Sequence, residues 1–271
     1  MVKTMTYELI EVSYSGDFAT ITMNYPQRRN ALSLKHMLEL TAAFREVGES
    51  KARGVTLAAN GPAFSAGHDF GDMVGRDLMA MRELLQTCTT LMETIQAIPQ
   101  PVLARVHAIA TAAGCQLVAT CDLAVASTDA TFATPGGKGG WFCTTPMVAV
   151  ARNVGRKRAF EMALTGETID AQTAADWGLI NRVVSPDKLV EESQRLLAAA
   201  TRGSFLSKAL GKQALYAQIG LPQAQAYAHA IEVMAAASQT PDAQEGMRAF
   251  LEKRKAHFAP PFDSISSSLS Q

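Results

Sequence analysis

The sequence predicts an α/β protein whose C-terminal third is helical. Short apolar or alternating runs, which are typical of strands, alternate with longer amphipathic segments, which are typical of helices, from Tyr7 to Ala133. From Thr144 onward helix signals dominate. A glycine-rich dinucleotide-binding fingerprint is absent, so the alternation does not indicate a doubly wound nucleotide-binding fold.

The strand predictions rest on residue alternation and on turn signals. Residues 7–13 alternate apolar and polar side chains, and Ser15-Gly16-Asp17 is a hairpin signal before a strand at 18–23. Further short apolar runs predict strands at 54–59, 102–106, 123–126, 131–133 and 182–184.

The helix predictions rest on capping residues. Ser33 caps a helix that runs to about Glu49, and Pro99 and Pro101 end a long helix that begins at Asp77. Ser185-Pro186 and Thr240-Pro241 each place a capping residue before a proline in the first turn. The other predicted helices are 144–153, 156–165, 170–177, 204–218 and 221–238, and the last runs over 241–255.

Composition limits the class of protein. Of the 271 residues 48% are hydrophobic, enough for a sizeable core, and the formal net charge is zero, which argues against a general nucleic-acid binder. No apolar run reaches membrane-spanning length, and the N-terminus lacks a signal-peptide pattern, so we expect a cytoplasmic protein without membrane partners. The four cysteines form no C-x-x-C pair, so no metal site is expected.

Residues 135–140 read PGGKGG and invite comparison with a phosphate-binding loop. The segment lacks the Walker spacing, and Lys138 is followed by Gly139 instead of Ser or Thr. We therefore do not predict a nucleotide site there.

Two stretches follow predicted strands and carry small residues. Ile109 to Cys121 reads IATAAGCQLVATC and is predicted to be helical, with small residues at its start that would let a ligand approach free N–H groups. Phe64 to Asp69 reads FSAGHD and follows the strand at 54–59. One N–H group from each stretch could bind a single carbonyl oxygen, although a tightly packed alanine-rich helix is the simpler interpretation of the first.

These stretches resemble the enoyl-CoA hydratase/isomerase (crotonase) superfamily. FSAGHD resembles its FSAGAD segment and AAGCQLVATCD its GGGCELAMACD segment, and the resemblance runs in order from about Tyr7 to Phe258. It implies a spiral of ββα units over residues 1–200 and a helical region at 201–258 that forms a homotrimer or a dimer of trimers. Residues 259–271 are rich in serine, and we expect a mobile tail there.

The resemblance also implies a chemistry. An acyl-CoA thioester carbonyl would lie between the backbone N–H groups of His68 and Ala113, which stabilise the enolate oxygen as it gains charge. Hydratases of the family use two glutamates to move protons, but Gln116 and Gly136 stand at those positions here. The branch called enoyl-CoA hydratase domain-containing proteins, which this sequence resembles most, lacks the same two groups. Each lost group removes roughly 10²–10⁴-fold of acid–base catalysis.

Some relatives carry a substitute acidic residue a few positions beyond Gly140, and the resemblance leaves Cys143 or Thr144 at that place here. The Cys143 thiolate could act as a base or nucleophile if the pKa were lowered, whereas a packed cysteine beside two aromatic residues is the plainer alternative.

For CoA, the resemblance points to Arg28 or Arg29 near the phosphates and to Ala66 and Asp69 along the adenine and pantetheine. A C-terminal segment would also reach a neighbouring subunit's CoA, and the residues it contributes are Lys255 and Phe258. CoA enters as part of the substrate, and no separate cofactor is expected. Loop capping is the alternative for Asp69 and Asp72, and a solvated surface role is the alternative for the basic residues.

Three functions remain open from the sequence. The first is an enoyl-CoA hydratase/isomerase. The second is an acyl-CoA-binding pseudo-enzyme, which the replaced glutamates favour. The third is another thioester reaction, such as hydrolysis or decarboxylation, in which carbonyl polarisation does more of the work.

Overall fold

The computed structural model describes residues 6–260. Its strands are β1 (Ile10–Ser15), β2 (Phe18–Met23), β3 (Gly54–Ala59), β4 (Val102–Val106), β5 (Ala110–Thr111), β6 (Leu123–Ser127), β7 (Thr131–Ala133), β8 (Ile169–Asp170) and β9 (Arg182–Val184). Its α-helices are α1 (Leu34–Gly48), α2 (Leu78–Ala97), α3 (Ala113–Thr120), α4 (Pro146–Val154), α5 (Arg156–Thr165), α6 (Ala171–Asp176), α7 (Leu189–Ala200), α8 (Phe205–Gln218), α9 (Gln223–Ser238) and α10 (Pro241–Leu251). Short 3₁₀ turns occur at Pro26–Arg28, Phe70–Asp72, Pro135–Gly139 and Pro186–Lys188.

The main sheet has six strands in the order β1-β2-β3-β4-β6-β9. β1 and β2 are antiparallel, and every later neighbour in that sheet is parallel. Ser15 pairs with Phe18, so the predicted hairpin turns over two residues, and Gly16 has the left-handed φ of +56° that this turn requires. A second sheet, β5-β7-β8, carries residues 110–111 of the small-residue stretch 109–121 in β5, and Ser65 of the stretch 64–69 joins Ala110 by an isolated bridge.

The core lies between the main sheet and the first two helices. Met37 and Phe44 of α1 and Leu91 and Ile95 of α2 are fully buried in one cluster with strand residues such as Leu57 of β3. Each such side chain contributes roughly 1.5–3 kcal/mol by leaving water. The capping predictions are confirmed here, because Ser33 accepts a hydrogen bond from the His36 N–H and Asp77 accepts one from the Ala80 N–H.

The structure corrects four predicted boundaries. The first strand runs over Ile10–Ser15 instead of residues 7–13. The helix predicted within residues 109–121 begins only at Ala113, because residues 110–111 form β5 and Ala112 has a φ of +51° that no α-helix allows. Ser185 precedes a 3₁₀ turn, and α7 starts at Leu189. The last helix ends at Leu251 instead of 255, because Lys253 turns left-handed at φ +54°.

Helix α8 is attached to the core by a buried ion pair. The Lys212 ammonium lies 2.8 Å from the Asp122 carboxylate and donates to the backbone carbonyls of Ile95 and Gln100. Burial lowers the pKa of Lys212, and Asp122 opposes that shift. The Tyr216 hydroxyl donates to the other Asp122 oxygen. The Asp122 carboxylate also accepts the Val102 N–H at the start of β4. Breaking such a pair typically costs about 3–5 kcal/mol.

Helix α9 contrasts with α8, since it buries none of its residues in this chain. Tyr227, Ile231 and Met234 are spaced along one face of α9 and are exposed. The division at residue 200 stays a prediction, and the predicted tail lies outside the described residues from 261 onward. Within residues 6–260, no helix combines the length and the apolar character that crossing a membrane requires.

Candidate active site

Two turns that follow strands meet at the end of the main sheet. Ser65 and Ala110 pair as a parallel bridge, and the Thr111 N–H donates to the Ser65 carbonyl at 3.0 Å. Gly114 packs directly on Ser65: a Cβ at Gly114 would overlap the Ser65 carbonyl oxygen and lie 2.8 Å from the Ser65 Cβ. Only glycine fits this approach.

A second glycine makes the contact reciprocal. Gly67 has a φ of +83°, and a Cβ there would lie 3.0 Å from the Thr111 carbonyl oxygen and 3.2 Å from the Ala113 nitrogen. We call residues 64–68 and 110–114 the interlocked turns. Their mutual contacts bring the backbone of Gly67, which precedes His68, close to the backbone of Ala113.

Ala112 adopts a strained backbone conformation between β5 and α3. Its φ of +51° and ψ of −117° lie in a region that residues with a Cβ rarely occupy. The Ala112 N–H donates to the Ala133 carbonyl, and the Ala112 carbonyl accepts the Gln116 N–H as the first bond of α3. These two bonds fix the peptide that carries the Ala113 N–H, so the strain is part of how that donor is oriented.

The backbone N–H groups of His68 and Ala113 are available as donors. Neither has a hydrogen-bond acceptor among the described residues. For Ala113 the reason is its position as the first residue of α3, where an N–H has no partner within the helix. Both residues line the same cavity. This arrangement can hold a group with a partial negative charge, such as a carbonyl oxygen.

The cavity beside the interlocked turns has a volume of about 490 Å³. Its wall is mostly apolar, and none of its lining residues in the described part of the chain is Asp, Glu, Lys or Arg. The lining residues are Ala66, His68, Phe70, Leu85, Thr111, Ala112, Ala113, Pro135, Gly136, Gly139, Trp141, Phe142, Cys143, Thr144, Thr145 and Pro146. Apart from His68 and Cys143, these side chains do not titrate near neutral pH.

The His68 ring is packed but not hydrogen-bonded. Its two nitrogens are buried without a hydrogen-bond partner in the described residues, and its ring centroid lies 6.3 Å from that of Trp141. Burial lowers the pKa of His68, and the nearby Leu32 backbone opposes the shift, so the imidazole is neutral at pH 7. With its nitrogens inaccessible, the side chain has no evident proton-transfer role, which agrees with a role through the backbone.

Gly136 lines the cavity but cannot carry a side chain in this conformation. A Cβ there would overlap the Trp141 carbonyl oxygen and lie 2.8 Å from the Cys143 sulfur. The Gly136 N–H donates to the Cys143 sulfur at 3.3 Å, and the Trp141 N–H donates to the Gly136 carbonyl. The segment 135–144, which we call the glycine loop, is thus closed onto itself at Gly136.

Cys143 does not have the lowered pKa that a thiolate base or nucleophile needs. Burial raises the pKa of the thiol, and the Gly136 N–H only partly offsets that shift. The thiol therefore stays protonated at pH 7, which favours a packed cysteine over a base or nucleophile.

Gln116 does not line the cavity. It is buried on α3, and its amide oxygen lies 4.0 Å from the sulfur of Cys88 on α2. Cys88 is also a neutral thiol, because burial raises its pKa to about 12. The structure thus leaves this predicted residue between two helices and away from the cavity wall.

Asp69 and Arg28 form an ion pair at the rim of the interlocked turns. Their charged atoms lie 2.7 Å apart, and the Arg28 side chain is 52% exposed. The Arg28 guanidinium lowers the pKa of Asp69, which also accepts the Gly71 N–H. Asp72 accepts the Leu34 N–H at the start of α1. Asp69 thus caps the turn at Phe70–Asp72, Asp72 caps the start of α1, and Arg28 keeps an exposed face.

Of the remaining predicted CoA contacts, Ala66 lines the cavity, whereas Lys255 and Phe258 do not. Lys255 is exposed, and the Phe258 ring packs near Gly246 of its own α10. The aromatic lining residues Phe70, Trp141 and Phe142 were missed as site residues in the sequence. Their signal was the presence of large apolar side chains beside glycine-rich turns.

The described residues include no group of three or more His, Cys, Asp and Glu side chains that could hold a metal ion. The candidate active site consists of the backbone N–H groups of His68 and Ala113, an apolar cavity, and the Arg28–Asp69 ion pair at the rim.

A parallel-stranded core with two interlocked turns and backbone donors at an apolar cavity is the arrangement expected for the crotonase superfamily, and sequence comparison agrees. Residues 14–261 match the sequence profile of the enoyl-CoA hydratase/isomerase family. The chain belongs to this family.

Three individual proteins are similar to most of this chain. The mouse (Mus musculus) protein named enoyl-CoA hydratase domain-containing protein 3, mitochondrial, is 44% identical over 239 residues, which are 87% of this chain and 79% of the relative. The crystal structure of a Mycobacterium smegmatis enoyl-CoA hydratase is 45% identical, with a TM-score of 0.89, covering 92% of this chain and 98% of that one. The structure of human enoyl coenzyme A hydratase domain-containing protein 3 is 39% identical, with a TM-score of 0.88, covering 92% and 100%. The predicted crotonase fold and the predicted resemblance to this branch are confirmed.

Proposed function

We propose that this protein binds an acyl-CoA thioester in the 490 Å³ cavity and polarises its carbonyl through the backbone N–H groups of His68 and Ala113. The observation that carries the proposal is the pair of N–H donors without acceptors in the interlocked turns, on two residues that line the same cavity. A thioester carbonyl between them would gain charge on forming an enolate, and fixed donors stabilise that state more than the neutral ester.

A pair of ligands tests the carbonyl contact without any substitution. Hexanoyl-CoA carries the carbonyl, whereas the thioether S-hexyl-CoA lacks it and keeps the rest of the molecule. Two hydrogen bonds, each contributing about 0.5–1.5 kcal/mol, predict that the thioester binds roughly 5- to 150-fold more tightly. Equal dissociation constants in calorimetry would overturn the proposed carbonyl site.

Family membership supports an enzyme of the lyase or isomerase type, but the cavity favours a second candidate. None of its described lining residues is a carboxylate, Gln116 faces Cys88, and Gly136 has no room for a side chain. Hydration needs a group that activates water. We therefore propose that hydration is slow or absent, and that the protein either binds acyl-CoA without turnover or catalyses a thioester reaction that depends on carbonyl polarisation.

Hydration of crotonyl-CoA, followed by loss of the enoyl-thioester absorbance, separates these candidates. Turnover on the order of 10 per second, a typical enzyme rate, would establish a hydratase and would require an acid–base group outside the positions considered so far. Turnover below 0.01 per second, about a thousandth of that rate, with acyl-CoA still bound, would support the second candidate.

We also propose that the C-terminal region makes a homotrimer. The support is that α9 buries no residue within the chain and exposes Tyr227, Ile231 and Met234 on one face. Light scattering should then give three times the 29.0 kDa chain mass, and Ile231→Glu should lower it toward one chain. A cytoplasmic location stays a prediction, which cell fractionation can test; the mouse relative is named as mitochondrial.

A further inference from the structure

A second apolar cavity lies beside the first, and one side chain belongs to both. The second cavity has a volume of about 240 Å³ and lies between α4, α5 and the glycine loop. Phe142 lines this cavity and the 490 Å³ cavity alike, and no other described residue does so. The remaining lining residues of the second cavity are Met147, Ala151, Arg156, Ala159, Phe160 and Ala163.

The Phe142 ring stands between the glycine loop and α5. A Cβ at Gly137 would lie 3.6 Å from the ring and 3.4 Å from the carbonyl oxygen of Ala163, so ring, loop and helix meet at this point. Phe142 is 41% exposed, which means that dense packing does not hold the ring in one rotamer. Next to it, Gly139 and Gly140 have no heavy atom within 4 Å of where a Cβ would be, so the loop tip has space to move.

The chemistry of the second cavity suits a hydrocarbon. Arg156 is the only charged side chain among its described lining residues, and long basic side chains line apolar surfaces with their methylene stems while the charge stays in water. The first cavity is neutral and apolar as well, so a chain that leaves it past Phe142 meets no polar barrier.

We propose that Phe142 sets the acyl-chain length of this protein, and that the far end of a long acyl chain enters the second cavity when the ring is displaced. The inference rests on the proposed acyl-CoA function. In the unsubstituted protein the chain fills the first cavity until it reaches the ring. Any further methylene group is fully buried only if it passes the Phe142 ring into the second cavity.

Calorimetric titration of the full-length protein with saturated acyl-CoAs from butyryl- to palmitoyl-CoA tests the proposal. Each buried methylene tightens binding roughly fourfold. The affinity of the unsubstituted protein should therefore rise with chain length and then level off. In Phe142→Ala the rise should continue for at least two more methylenes, so that the longest chains bind about tenfold more tightly or better.

Filling the second cavity provides the decisive variant. Ala151 is exposed at its edge, so Ala151→Phe can occupy the space without disturbing the core. In Phe142→Ala/Ala151→Phe the extra gain for long chains should disappear. Phe70→Ala is a matched control, because Phe70 lines only the first cavity; it should weaken binding at all chain lengths and leave the position of the plateau unchanged.

Three outcomes overturn the proposal: an unchanged plateau in Phe142→Ala, a gain that survives Ala151→Phe, or a plateau that Phe70→Ala moves equally. Failure of the proposed acyl-CoA function would give results that differ from these three outcomes. In that case butyryl-CoA and hexanoyl-CoA fail to bind, or S-hexyl-CoA binds as well as hexanoyl-CoA.

Discussion

The two walls of the cavity are both rich in glycine, but their glycines act in opposite ways. In the interlocked turns, Gly67 and Gly114 are contact points at which a Cβ would meet backbone atoms of the other turn. In the glycine loop, Gly139 and Gly140 face open space. The first wall is therefore fixed by close approach of two backbones, whereas the second has a free tip that carries exposed aromatic side chains.

This difference bears on the proposed function. The fixed wall holds the two N–H groups that we propose as carbonyl donors, and as backbone groups they do not depend on side-chain identity. The looser wall is where acid–base side chains would stand, and here it carries Gly136, Trp141 and a neutral Cys143. Under the proposed function, carbonyl polarisation therefore does not depend on the side chains of the glycine loop.

The largest expected effect is at Gly114. Gly114→Ala places a Cβ against the Ser65 carbonyl, so the turns must separate, and we expect the free energy of unfolding to fall by about 3 kcal/mol. Gly139→Ala on the opposite wall is the matched control and should change it by less than about 0.5 kcal/mol. Urea denaturation measures both values. Equal effects at the two positions would remove the distinction between the walls.

Introducing a carboxylate at Gly136 tests how much room the glycine loop has. In Gly136→Glu the new Cβ overlaps the Trp141 carbonyl, so we expect a loss of about 2 kcal/mol of stability and no gain in crotonyl-CoA hydration. Urea denaturation and the absorbance assay measure these two outcomes. A stable variant that hydrates crotonyl-CoA at least tenfold faster would show that the loop opens readily to admit the side chain.

A substitution at Ala112 is expected to raise the free energy of unfolding instead of lowering it. Because its φ of +51° and ψ of −117° suit glycine, Ala112→Gly should raise the free energy of unfolding by about 1 kcal/mol, after the entropy that glycine adds to the unfolded chain is offset. Urea denaturation measures the change. Destabilisation would mean that the Ala112 Cβ contributes packing that outweighs the strain.

The stability that the Arg28–Asp69 ion pair contributes should depend on pH. Since Arg28 lowers the pKa of this carboxyl in the folded state, its contribution is present above the ordinary value of 3.8 and is lost as the pH falls through the lowered value. The stability difference between the unsubstituted protein and Asp69→Asn should therefore be a small one, present at pH 7 and smaller at pH 3. Thermal melts at both pH values measure it, and a difference that grows on acidification would contradict the assigned sign.

The smallest effect is expected at the His68 side chain. His68→Phe keeps the backbone donor and removes two buried nitrogens that lack partners, so stability should be unchanged or rise by up to about 1 kcal/mol, with hexanoyl-CoA affinity retained within about threefold. Urea denaturation and calorimetry measure these quantities. A large loss of affinity with stability intact would assign the imidazole itself to the ligand.

Much of the fold could be predicted because its signals are local. Ser33, Asp77 and Ser204 cap their helices through side chains that reach the next turn, and the Gly16 turn determines the β1–β2 register. The start of α3 was missed since Ala112 carries no left-handed signal of its own. Its conformation is held by the Ala133 carbonyl, 21 residues away along the chain.

By itself, the sequence determined most strands and helices in their order, although not the short strands β5 and β8, and it determined the family and the small residues of the interlocked turns. Short-range capping, alternation and motif order carry that information. Only the tertiary structure decided that Gln116 faces Cys88, that Gly136 has no room for a Cβ, that burial keeps Cys143 protonated, and that Phe142 separates two cavities. The reason is physical: burial, steric room and solvent access depend on atoms brought together from distant segments, which no local pattern specifies.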